Sequence, residues 1–188
     1  MALRNAIMAT LLDGEASGYD LTKSFAASVA NFWMATPQQL YRELERMEGD
    51  GLIAARVVEQ ERRPNKRVFS LTPAGLETLC DFTAEPPRPS VIRDELMVKV
   101  QAVDSGDMEA VRTAVSEWRS WSEAKVARFE RLRLRLLGGV PEEDYLVSTA
   151  RVGPYLTLMR GLAFEKENVA WADRVQAILE RRLELIRG

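Results

Sequence analysis

Two groups of residues in the first third of the chain have the types and spacing needed to bind a polyanion. Arg62, Arg63, Lys66 and Arg67 place four cations in six consecutive positions. Upstream, Thr36, Gln38, Gln39, Tyr41 and Arg42 fall within two turns of an expected helix. Guanidinium and ammonium groups neutralise phosphate oxygens and release counterions. Glutamine pairs bidentately with adenine and arginine with guanine, each worth roughly 1–3 kcal/mol of discrimination. A tyrosine hydroxyl can donate to a phosphate while its ring packs on the domain. Each residue also has a structural alternative. Gln38 and Arg42 can belong to a solvated helix face, Gln39 to a helix cap, Tyr41 to packing, and the cations to a soluble loop. Clustering argues against that last alternative. Residues 1–80 carry nine basic and ten acidic side chains, and residues 90–188 carry sixteen of each, so neither half has a basic excess to spread.

The second half holds a different set. Trp118, Trp121, Tyr155 and Trp171, with Met159 and Phe164, can pack a helical core or a dimer seam, or line an apolar ligand pocket. An anionic ligand there would need a cation such as Arg128, Arg151 or Arg160.

Other chemistry is poorly supported. The chain has no histidine, which removes Ser-His-Asp and Cys-His catalysis and histidine-bearing zinc sites. A single cysteine, Cys80, allows no intrachain disulfide and no multi-thiolate metal site. Its helical spacing from Leu76 and Leu79 reads as a small buried apolar residue, with redox sensing as the alternative. No glycine-rich phosphate loop is present. The expectation is a protein that is not an enzyme and takes no cofactor or metal. No window approaches about 18 apolar residues, and MALRNAIMATLLDGE lacks the apolar core of a signal peptide, so a cytoplasmic protein is expected.

The positioning elements follow from periodicity and punctuation. Asn5 to Leu12 reads as a short helix, Asp13-Gly14 and Ser17-Gly18 as a turn, and Tyr19 to Ser28 as a second helix with Leu21, Phe25 and Val29 on one face. Phe32 and Trp33 read as core. Thr36 as N-cap, Pro37 in the first turn and Gln39 three residues on make a capping box for a third helix. Leu40, Leu44 and Met47 form its inward stripe, and Gly51 suits a left-handed ending, with Leu52 contacting Met47. Ala55 to Gln60 and Arg67 to Leu71 read as strands around the polar loop ERRPNK, with Phe69 and Leu71 on one face. Thr72-Pro73 opens a helix to Phe82. Thr83 to Ser90, TAEPPRPS, is a proline-rich linker. Beyond it the chain is helical: Arg93 to Val103, Asp107 to Leu137 with Val111, Val115, Trp118 and Trp121 near a 3.6-residue period, and Asp144 to Ile186, where Gly153-Pro154 can break or kink the helix. In that last helix Leu158, Leu162, Glu165, Val169, Val175, Ile178, Leu179, Leu183 and Ile186 suggest a long seam.

Three helices, a hairpin and a connecting helix within about 80 residues form the winged helix-turn-helix pattern, in which the third helix enters the DNA major groove and the hairpin follows the backbone. The expected fold is mainly α with a small β-hairpin wing. A DNA-binding domain spans 1–82, a linker 83–90, and a helical dimerisation and effector domain 91–188.

The segments GYDLTKSF, FWMATPQQLYRELERMEGDGLI and RRPNKRVFSLTPAG resemble the winged helix of PadR-type transcriptional regulators. RDELMVKV and YLTLMRGLAFEKENVAWADRVQAIL resemble that family's tail, so the resemblance runs from about Leu3 to Arg182. It implies a homodimeric regulator, a repressor of a palindromic operator, released by a small hydrophobic or aromatic effector held in the tail. Two departures fall on the DNA-facing surface. The family often has Ser-Pro-Gly where this chain has Thr36-Pro37-Gln38, and a proline after the tyrosine where this chain has Arg42. The alternative is a winged helix kept for protein–protein contacts, favoured by the near-neutral charge of residues 1–80.

Overall fold

The computed structural model describes residues 2–24, 35–59, 65–87, 89 and 93–187. Phe25, Val29, Phe32, Trp33, Arg62 and Arg63, singled out above, lie outside the described residues. The chain divides into two compact units, Met1–Pro89 and Ser90–Gly188.

Unit 1 contains α1 (Ala2–Leu11), β1 (Ala16–Ser17), α2 (Gly18–Ser24), α3 (Pro37–Gly49), β2 (Ile53–Val58), β3 (Lys66–Leu71) and α4 (Pro73–Ala84). The expected hairpin of β2 and β3 is extended by β1 into a three-stranded antiparallel sheet, in the order β1-β3-β2. Two residues suffice for the extra strand, with Ala16 opposite Phe69 and Ser17 opposite Val68. A two-residue strand is too short to display a period, which is why the sequence shows only a turn there. Strand β2 starts at Ile53, two residues earlier than the valine-rich run, because Ile53 pairs with Leu71.

One core holds these elements together. Ile7, Met8 and Leu11 of α1, Leu21 of α2, Leu40, Leu44 and Met47 of α3, Leu52, Ile53, Phe69 and Leu79 form one buried cluster, with Leu71 packed against it. Leu40, Leu44 and Met47 are the stripe expected for α3. In α4 the buried positions are Gly75 and Leu79. Leu76 and Cys80, one residue farther round, are exposed, contrary to the buried reading of Cys80. Helix α4 also runs to Ala84, into the expected linker, since only the prolines from Pro86 onward stop it.

The end of α3 and the start of α4 meet at Leu52. Gly51 adopts φ +73°. This lets Leu52 N donate to Met47 O at 2.9 Å and Gly51 N to Glu48 O at 3.0 Å, the paired bonds of a Schellman ending. The Leu52 carbonyl then accepts from Thr72 N at 3.2 Å and Thr72 Oγ1 at 3.0 Å, while Thr72 Oγ1 accepts from Gly75 N at 3.1 Å and caps α4.

Unit 2 contains α5 (Glu95–Gln101), a short 3-10 turn (Val103–Ser105), α6 (Met108–Leu137), α7 (Glu142–Ser148) and α8 (Gly153–Arg187). Asp94 and Asp107 cap α5 and α6 through their carboxylates, and Gly138 ends α6 in the left-handed region. The single last helix expected from Asp144 is two, because the chain leaves helical geometry after Ser148 and restarts at Gly153-Pro154.

Helices α6 and α8 run antiparallel, as Arg119–Asp173, Lys125–Glu165 and Lys166–Glu130 bridges show. Along α8 the buried residues Tyr155, Leu158, Leu162, Glu165, Ala172 and Leu179 keep the alternating three-and-four spacing of a helix–helix seam. Ile178 and Ile186 fall off that seam and are exposed. Ser122 takes the inward position on α6, leaving Trp121 62% exposed, one residue out of phase with the expected stripe. Glu165 is only 2% exposed. Its carboxylate accepts from Lys125 Nζ at 2.8 Å and Asn168 Nδ2 at 3.2 Å, which meets the requirement that a buried charge be paired. Among the described residues, no helix is long and apolar enough to cross a membrane.

The Leu52 junction predicts opposite outcomes for two glycines. A Cβ at Gly75 would overlap the Leu52 carbonyl oxygen, whereas one at Gly49 would meet nothing within 4 Å. Gly75→Ala should lose about 2 kcal/mol or more, and Gly49→Ala should be neutral or gain up to about 1 kcal/mol. Urea denaturation of both variants measures the difference.

Candidate nucleic-acid interface

The start of α3 is built by its cap. Thr36 has extended backbone, with φ −74° and ψ 154°. Its Oγ1 accepts from Gln39 N at 3.2 Å, and Thr36 N donates to Gln39 Oε1 at 2.9 Å, closing the reciprocal capping box. Burial of Leu40, Leu44 and Met47 fixes the rotation of the helix, so Gln38, Gln39, Tyr41 and Arg42 all face outward. Gln39 Oε1 is occupied by the cap, which leaves its amide nitrogen as the group able to reach outward. Among the described residues, the side chains of Gln38 and Arg42 have no hydrogen-bond or ion-pair partner. Arg46, one turn farther, is paired with Glu43 at 3.4 Å.

Tyr41 stands beside the first residue of α2. A Cβ at Gly18 would overlap the Tyr41 ring, so glycine there permits the close approach. Ser17 and Asp20 form a second capping pair: Asp20 N donates to Ser17 Oγ at 3.1 Å, and Ser17 Oγ donates to Asp20 Oδ2 at 2.7 Å. A cleft of about 610 Å³ lies between the start of α2, α3 and β3, lined by Gly18, Asp20, Tyr41, Lys66 and Arg67 among others.

The described wing cations are engaged within unit 1. Lys66 Nζ lies 2.6 Å from Asp20 Oδ2. Arg67 pairs with Glu48 and lies over the Phe69 ring, 5.3 Å from its centroid. Arg56 of β2 pairs with Glu15. Hydrogen bonds from Lys66 and then Ser17 hold the Asp20 carboxyl below the usual carboxylate range, and Arg56 does the same to Glu15. Sequence reading missed these acidic partners. Ser17-x-x-Asp20 is a legible capping signal, but pairings 19 residues apart (Arg67–Glu48) and 46 apart (Lys66–Asp20) have no local signature.

The aromatic residues of unit 2 do not converge. Trp118 and Trp171 pack on the cluster of Leu96, Val111, Val115, Ala172 and Leu179. Trp121 is exposed beside Trp118, with ring centroids 6.2 Å apart. Tyr155 is fully buried elsewhere, against Tyr145 at 5.3 Å. Tyr155 and Trp171 are separated by roughly 24 Å along α8 at 1.5 Å per residue. Arg133 meets Tyr155, donating from Nε to the phenol oxygen at 2.9 Å and pairing with Glu142. Burial pushes the Tyr155 phenol above its ordinary value, and the Arg133 bond holds Glu142 below its own.

Comparison with known proteins agrees along both units. The model of the transcriptional regulator PadR-like family matches residues 7–81, and that of the virulence activator alpha C-terminal region matches residues 92–180. A probable transcriptional regulator of Mycobacterium tuberculosis is 31% identical over 193 residues, covering 97% of this chain and 100% of that protein. Bacillus subtilis PadR, named a negative transcriptional regulator, is similar in its crystal structure with operator DNA: TM-score 0.76 and 28% identity, over 95% of this chain and 99% of that one. Its crystal structure with p-coumaric acid gives TM-score 0.70 and 26% identity, over 96% and 99%. The Vibrio cholerae virulence activator AphA gives TM-score 0.68 and 30% identity, over 96% and 99%.

The cap geometry predicts that Thr36→Ala lowers the stability of unit 1 by about 1 kcal/mol. Gln39→Glu, which keeps an acceptor for Thr36 N, should remain near the parent. Chemical denaturation followed by circular dichroism separates the two.

Proposed function

We propose a DNA-binding role for this chain, which belongs to the PadR-like family of transcriptional regulators: it acts as a homodimeric repressor of a near-palindromic operator. The observation that carries this reading is the outward face of α3. Gln38 and Arg42 project from a rigidly capped helix start, without partners among the described residues, in a chain similar along nearly its whole length to a protein crystallised on its operator. Gln38 and Arg42 read base edges, with the Gln39 amide contributing. Thr36 and Tyr41 contact the backbone, and Arg62, Arg63, Lys66 and Arg67 supply phosphate contacts along the wing.

Dimerisation is assigned to unit 2. Trp121, Leu134, Leu156, Ile178 and Leu185 of α6 and α8 are each more than half exposed in the single chain, and apolar side chains so displayed on long helices favour a partner surface. A two-fold dimer offers two recognition helices about one DNA turn apart, hence the near-palindrome. The p-coumaric acid complex of Bacillus subtilis PadR supports a small aromatic acid as the class of effector. Such an effector relieves repression only by binding one spacing of the two heads more tightly than the other.

Selection of genomic fragments by the purified protein should enrich one near-palindromic sequence at physiological salt. Gln38→Ala and Arg42→Ala should each lose roughly 1–3 kcal/mol of affinity for that sequence while leaving random-sequence duplex almost unaffected. Equal losses on both duplexes would remove these residues from base reading. Solution scattering at micromolar concentration should give the mass of a dimer, and a monomer would reject the two-headed arrangement.

A further inference from the structure

The two cations that open β3 are occupied by carboxylates from two different helices. Asp20 comes from α2 and holds Lys66 at 2.6 Å. Glu48 comes from the last turn of α3 and holds Arg67. Asp20 is fixed in place, since the oxygen that meets Lys66 also accepts from Ser17 Oγ at 2.7 Å. Arg67 is fixed by its position over the buried Phe69 ring. A carboxylate bound to an ammonium or guanidinium uses the same donors that a phosphate oxygen would use. The four side chains keep between 32% and 50% of their exposure, so the pairs are weak enough to exchange.

Building on the DNA-binding reading, we propose that Asp20 and Glu48 are specificity determinants: they compete with DNA phosphates for Lys66 and Arg67 and so hold down sequence-independent affinity. On a random duplex nothing fixes β3 against the backbone, and the cations stay on their carboxylates. On the operator, base contacts from α3 fix the register, phosphates are presented steadily to β3, and the cations exchange partners. The acids thus weaken random binding more than operator binding, although neither touches a base.

The test compares the full-length parent with Asp20→Asn/Glu48→Gln on two probes, a 30-base-pair random-sequence duplex and the duplex enriched by the parent protein, across a salt series. Asparagine at position 20 keeps an oxygen acceptor for Ser17. The double variant should bind the random duplex about five- to tenfold tighter, since an exposed pair is worth on the order of two- to fivefold. Its log–log salt slope should steepen by about 1 to 2, because each added phosphate contact contributes about 0.9. The operator-to-random ratio should fall. Adding Lys66→Ala and Arg67→Ala should return random binding to the parent level. Glu77→Gln/Asp81→Asn, the same charge change at exposed positions of α4, should leave the ratio unchanged. If Asp20→Asn impairs folding, Glu48→Gln alone should give about half of the gain. Unchanged random affinity and slope would overturn the inference, and so would an equal rise in the α4 control, which would reduce the effect to net charge. A parent protein that binds neither duplex would overturn the DNA-binding reading itself, and the inference with it.

Discussion

The Leu52 backbone is the constraint on which unit 1 turns. Its N–H closes the end of α3 onto Met47, and its carbonyl receives both Thr72 N and Thr72 Oγ1. One peptide segment therefore terminates the outward-facing helix, starts β2 and anchors the cap of α4. Gly51 makes the first of these possible through its positive φ, and Gly75 makes the last possible by leaving room at the carbonyl. Helix α3 consequently cannot rotate or slide without disturbing the strands that follow it. Any group presented by the start of α3 is held in fixed register with β3. That rigidity is what a surface reading base edges requires, because a bidentate contact loses its discrimination when its geometry drifts.

Charge is handled locally. A chain with a formal net charge of −2 can present a cationic face only by leaving selected cations unpaired or weakly paired. In unit 1, Arg4, Arg46, Arg56, Lys66 and Arg67 are each matched with a carboxylate, whereas Arg42 has no such partner among the described residues. Unit 2 spends its ion pairs differently. Lys125–Glu165, Lys166–Glu130 and Arg119–Asp173 link α6 to α8 and fix which turn of one helix faces which turn of the other. The half-exposed Lys125 pairs with the buried Glu165, and this pair opposes a slipped register that would leave the buried carboxylate unpaired.

Much of this was legible in the sequence. The cap, the inward stripe and the ending of α3 all follow from short-range rules, and Thr36, Gln39, Leu40, Leu44, Met47 and Gly51 each occupy the role their spacing implies. The order of elements and the motifs after them gave the family, which the relatives bear out. Rotation of a helix about its axis is less legible, since an offset of one residue turns a side chain by about 100°. Helix α4 buries Gly75 and Leu79, which leaves Cys80 exposed, and Trp121, Ile178 and Ile186 are exposed in the single chain. Strand β1 escaped notice because its two residues become a strand only through pairing with β3.

Sequence by itself determined the order of the longer elements, and the cap, the ending and the outward-facing residues of α3, since these depend on backbone preferences and contacts within a few positions. Tertiary structure alone decided which charges are free. Lys66 and Arg67 read as a basic cluster in one dimension. In three dimensions they meet Asp20 and Glu48, brought beside them by the packing of α2 and α3 on the sheet. The physical reason is that an electrostatic partner is chosen by distance in space, and the chain approaches itself there from 46 and 19 residues away.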